Sequence, residues 1–124
     1  MSRNKLIGGL LLASVAMPVP AMAETFTLWV RSDGSNFMPQ IVEAFNAQSE
    51  HEAELQIVPT AELVQKYAIA SAGGSAPDAL SLDLIYTPAF GQAGQLRDLT
   101  EFAQGLDYYD SLSPAHLSVG TVEG

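Results

Sequence analysis

The sequence predicts an α/β domain, a parallel sheet with flanking helices. Three observations carry that reading. β-branched and aromatic segments alternate with segments of helical apolar spacing, in the order strand, helix, strand, helix, strand, helix. The connections are short, which favours right-handed crossovers between parallel strands. The chain has no cysteine, so a hydrophobic core rather than disulfides must hold it together.

Residues 1–23 stand apart from this pattern and read as a secretory signal peptide. Arg3 and Lys5 give a positive start, residues 6–17 (LIGGLLLASVAM) form a short apolar run, and Pro18 and Pro20 break it. Ala21-Met22-Ala23 supplies the small-x-small pattern of a cleavage site. The run is shorter than the roughly 20 apolar residues of a spanning helix. Cleavage would leave residues 24–124, with no cysteine near the cut to carry a lipid anchor. The product is expected to be soluble and periplasmic.

That product has 101 of the 124 residues, enough for one small domain. It carries three basic and 14 acidic residues, a formal net charge of −11. Such acidity disfavours nucleic acid and anionic membrane surfaces as partners. Colloidal repulsion accounts for most of it. Beyond the leader no apolar stretch is long enough to span a membrane.

Residues 25–30 (TFTLWV) read as the first strand. Residues 31–36 (RSDGSN) have turn chemistry. Phe37, Ile41, Ala44 and Phe45 recur at helical spacing, and Pro39 fits only a first turn, so the first helix starts near Asn36 or Met38. Residues 48–54 (QSEHEAE) read as a polar connection, and residues 55–58 as the second strand, stopped by Pro59. Thr60 can cap a second helix with Leu63, Val64, Tyr67 and Ala68 on one face and Gly73-Gly74 at its end.

Ala76-Pro77-Asp78 leads into a third strand, residues 79–84. Thr87-Pro88 opens a short third helix reaching about Ala93, and Gly94 turns the chain into Leu96-Arg97-Asp98-Leu99. Residues 100–124 read as one or two weak helices followed by a loop. Ligands of parallel sheets bind outside the carboxyl ends of the strands. Residues 31–36, 59–60 and 83–87 would meet at that edge.

An ordered set of motifs runs through the chain: Leu28-Trp29 on the first strand, Glu43-Ala44-Phe45-Asn46 ending the first helix, then Tyr67, Ala70-Ser71-Ala72-Gly73-Gly74, Ala76-Pro77-Asp78, Ala93-Gly94-Gln95-Leu96 and Asp98-Leu99. In this order they resemble family 1 of the bacterial extracellular solute-binding proteins, the sugar-type components of ABC importers. The resemblance covers essentially all of residues 24–124. It implies the first lobe of a two-lobed periplasmic-binding-protein fold, with solute clamped between lobes and handed to a membrane permease. It implies no cofactor, no metal and no catalysis, and a monomer is expected. Members of the family run to several hundred residues, so the chain is expected to be the amino-terminal part of a longer protein.

By similarity, Arg31, Ser32 and Asp33 stand where the family often carries polar ligand contacts. Asp33-Gly34 is equally a common turn pair, and Asp33 could cap the first helix. Asp83 near the end of the third strand is a candidate ligand contact, with a helix cap or ion pair as the alternative. Tyr86 could stack on a sugar ring or pack internally. Thr87 reads as a cap, Trp29 and Tyr67 as core, and Asp78 as ordering the turn into the third strand.

His51 and His116 lack metal-like spacing partners, and the acidic cluster around His51 reads as a solvated connection. Two alternatives to a transport module stay open. One is an exported carbohydrate-active enzyme, in which Asp33 and Asp83 would form a carboxylate pair; there is no GxSxG elbow. The other is a small non-catalytic interaction domain.

Overall fold

A computed structural model of the chain describes residues 23–122. The leader, apart from Ala23, lies outside these residues. Three strands, β1 (Thr25–Arg31), β2 (Glu52–Val58) and β3 (Ala79–Leu80), form one parallel sheet in the order β2-β1-β3. Among the described residues five α-helices accompany them: α1 (Met38–Gln48), α2 (Thr60–Ala72), α3 (Thr87–Gln92), α4 (Thr100–Gln104) and α5 (Pro114–Gly120). Among the described residues no helix is long and apolar enough to cross a membrane.

With β1 central, the chain steps to one side through α1 and to the other through α2. Right-handed crossovers then put the two helices on opposite faces of the sheet. On the α1 face Phe26 meets Phe45 edge-on, with ring centroids 5.6 Å apart. On the other face Val58, Leu63, Tyr67 and Ala70 are buried. Tyr67 stacks edge-on against Phe90 of α3 at 5.0 Å, and its hydroxyl donates to the carbonyl of Gln95. Trp29, read from the sequence as core, is only half-buried. The Lys66 ammonium stands 4.2 Å from its ring centroid, a cation–π contact that covers the indole.

β2 begins three residues earlier than its apolar run suggested. Glu52 and Glu54 are exposed while Ala53 between them is buried, the alternation of an edge strand. Asn46 completes that edge. Its Oδ1 accepts from the Ala53 amide at 2.8 Å and its Nδ2 donates to the Ala53 carbonyl at 3.1 Å. One side-chain amide thus pairs with a strand residue as another strand would.

β3 ends four residues earlier than expected. The Ser81 amide still donates to the Trp29 carbonyl at 2.8 Å. Asp83 Oδ1 then accepts from the Ile85 amide, and residues Leu84–Tyr86 close into a single 3-10 turn. A local aspartate bond has outcompeted the ladder. Neither Thr60 nor Thr87 caps a helix; both lie inside their helices, which Pro59 and Tyr86 precede without side-chain caps. Gly74 and Gly94 take positive φ, 70° and 68°, at the turns after α2 and α3.

Asp78 ties the entry of β3 to β1. Its Oδ2 accepts from the Thr27 amide at 2.8 Å and the Thr27 hydroxyl at 2.9 Å, while its own amide donates back to that hydroxyl at 3.1 Å. These bonds, the Thr27 amide first, hold its carboxyl below the usual carboxylate value.

Candidate functional site

The carboxyl ends of the strands gather the segments that topology predicts. β1 ends in Arg31, followed by a 3-10 turn over Ser32–Gly34. That turn must carry glycine at position 34, because a Cβ there would sit 2.7 Å from Val30 Cγ1. The close approach seats the turn on the buried Val30 and fixes where Ser32 and Asp33 stand.

Arg31 binds both neighbouring aspartates. Its Nη2 lies 3.0 Å from Asp33 Oδ2, and its Nη1 lies 3.4 Å from Asp83 Oδ2. Its Nε is buried with no partner among the described residues. The Arg31 side chain is 27% exposed, against 58% for Asp33 and 47% for Asp83. Pairs this open to water add at most about 1 kcal/mol to stability. The cluster is therefore a poor device for holding the fold and a good one for presenting polar groups.

Ser32 points elsewhere. Its hydroxyl lies 3.1 Å from the Thr60 hydroxyl and accepts from the Thr60 amide at 3.2 Å. It pins the end of β1 to the start of α2. Tyr86 closes the turn that Asp83 begins and is exposed. Of the five residues singled out in the sequence, the structure joins Arg31, Asp33 and Asp83 directly. Ser32 borders them as a tether, and Tyr86 stands three residues beyond Asp83.

A hollow of about 160 Å³ opens beside the cluster, lined by Val30, Arg31, Asp33, Gly34, Phe37, Met38 and Ser81. Phe37 and Ser81 are additions to the sequence reading. Continuing the β1–β3 register by one step brings Ser81 level with Val30, so strand order was the missing information. Phe37 fitted the apolar spacing of α1, which argued for core, yet it is 53% exposed at the helix start. A larger hollow of about 430 Å³ lies at the opposite end of α1, among Ala44, Phe45, Gln48 and Ser49. It has no charged group and lies away from the strand ends, so the smaller hollow is the candidate site. Among the described residues no group of His, Cys, Asp and Glu side chains could hold a metal ion.

No protein-family model matches the chain, and no curated protein matches it significantly. Solved structures do match. An ABC transporter solute-binding protein from Thermotoga lettingae, bound with α-D-tagatose, superimposes with a TM-score of 0.75 at 19% identity. The match covers 82% of this chain and 27% of that one. A family 1 extracellular solute-binding protein from Alicyclobacillus acidocaldarius gives 0.73 at 25% identity, over 86% of this chain and 27% of that one. A solute-binding protein from Agrobacterium vitis with bound D-mannitol gives 0.71 at 24%, over 82% and 25%.

The fold is thus that of part of a two-lobed ABC transporter solute-binding protein, as the ordered motifs implied. The chain spans about a quarter of the length of these neighbours.

Proposed function

We propose that this chain belongs to the sugar-type solute-binding proteins and supplies one lobe's share of the contacts to a carbohydrate or polyol. The observation that carries the reading is the Arg31–Asp33–Asp83 cluster at the carboxyl edge of a sheet with this fold. Sugar hydroxyls need paired donors and acceptors, and a sugar's apolar face needs an aromatic plate. Asp33 and Asp83 are the acceptors, Arg31 completes the polar rim, Ser32 tethers the turn that carries Asp33 to Thr60, and Tyr86 or Phe37 offers the plate. Two similar proteins contain D-tagatose and D-mannitol, which favours this ligand class.

On the same reading residues 1–23 export the chain, the protein works in the periplasm, and a membrane permease receives the solute. Binding without turnover is the expected behaviour. Asp33 and Asp83 share one guanidinium as ion-pair partner.

The test is calorimetric titration of the exported gene product with D-mannitol, D-tagatose and maltose, alongside an assay for breakdown of maltose. Saturable binding of one probe without turnover is expected. Asp83→Ala should weaken that binding by at least about tenfold, the equivalent of a lost charge-assisted hydrogen bond. Unchanged affinity removes Asp83 from the site, and turnover replaces the transport reading with the enzymatic one.

A further inference from the structure

We propose that Arg31 is a positioning residue: it draws Asp33 and Asp83 together as a pair of acceptors, so that the site takes uncharged hydroxyl-bearing solutes and refuses anionic ones. The inference rests on the solute-binding reading and states which members of that class the site accepts. Arg31 closes β1, Asp33 lies in the turn after it, and Asp83 begins the turn after β3. The guanidinium is the group that joins all three, through Nη2 to Asp33 and Nη1 to Asp83. The buried Nε leaves only the Nη edge to face outward.

That edge already lies against two carboxylates. An approaching carboxylate or phosphate meets one positive charge matched by two negative ones, and repulsion prevails. An approaching hydroxyl meets two half-exposed carboxylates that can accept hydrogen bonds from it. Lysine could supply the charge of Arg31 but not the planar fork that serves two partners at once.

Two measurements on the full chain separate this proposal from the reading beneath it. The first needs no solute. In the proton–nitrogen NMR spectrum, Arg31 held on both sides should show separate, slowly exchanging Nη signals, which merge in the Asp33→Asn/Asp83→Asn double variant. Merged signals in the unaltered protein overturn the clamp.

The second is competition between D-mannitol or D-tagatose and D-glucuronate. The neutral probes should bind at least about tenfold more tightly, and Asp33→Asn, by releasing part of the guanidinium, should shift the ratio toward D-glucuronate by about tenfold. Arg31→Lys should not retain the binding of the neutral probe. Equal affinity for D-glucuronate, or an unshifted ratio in Asp33→Asn, overturns the selectivity. If none of the probes binds, the solute-binding reading fails and the selectivity with it, while the Nη signals still decide whether Arg31 clamps the two aspartates.

Discussion

Asp78 shows how one carboxylate can replace the missing length of a strand. β3 has two residues in the ladder, and the three bonds between Asp78 and Thr27 extend its attachment to β1. The carboxylate form makes the two bonds it accepts, so folding lowers its pKa below the ordinary value of 3.8. Asp98, which accepts from the hydroxyl and amide of Thr100, is lowered in the same way. A group depressed on folding stabilises the native state fully above its unfolded pKa. That contribution is lost as pH falls from the unfolded value through the folded one. A carboxyl NMR titration should therefore place the Asp78 midpoint below 3.8, with Thr27→Val moving it upward because one donor is gone. A midpoint that does not respond to Thr27→Val would remove the hydroxyl from the account.

The elements were legible to different degrees, for physical reasons. α2 follows from apolar spacing, because a helix packing on a sheet must keep its buried residues on one stripe; the spacing also finds α1, but there Phe37, Ile41 and Phe45 stand exposed and Val42 is the residue it buries. β1 is central, and its β-branched and aromatic run declares it. β2 is an edge strand, so Glu52 and Glu54 face water and resemble a loop; what makes these residues a strand is their ladder with β1, while Asn46, six residues before it, bonds its open edge. β3 is shorter than its sequence suggests because alternation carries no information about the local bond of Asp83. The meeting of Arg31, Asp33 and Asp83 followed from topology, whereas Ser81 needed the register and Phe37 the exposure of the helix start. Asn46→Ala tests the edge directly. It leaves the Ala53 amide and carbonyl unpaired in a half-covered setting and should cost about 1–3 kcal/mol in chemical denaturation. Asn46→Asp keeps the acceptor for the Ala53 amide but sets an oxygen against the Ala53 carbonyl where Nδ2 donates, so it should not recover the loss. A loss within error for Asn46→Ala would mean that water replaces the amide freely.

The described residues bury eight apolar side chains while eleven large ones stand exposed. Scattered exposed apolar residues are ordinary, but these fall into sets. Phe37, Ile41 and Phe45 recur along α1 at every fourth position, and Leu84, Ile85 and Tyr86 form one turn. The large acidic excess opposes association at long range through charge repulsion, yet it is screened beyond about 10 Å at ordinary salt. Apolar contact between faces acts within that distance and gains about 25 cal/mol per Å² covered. Contact should therefore win once salt is present. Residues 24–124 produced alone are expected to bind a hydrophobic dye and to associate as concentration rises, more so at high salt, against the monomer expected from the sequence. Sedimentation at tens of micromolar with and without added salt checks this. Replacing Ile41 and Phe45 with glutamine should reduce both dye binding and association, because it interrupts the α1 row without touching Arg31, Asp33 or Asp83. A monomer at every salt concentration, with no dye bound, would mean that charge repulsion outweighs these faces.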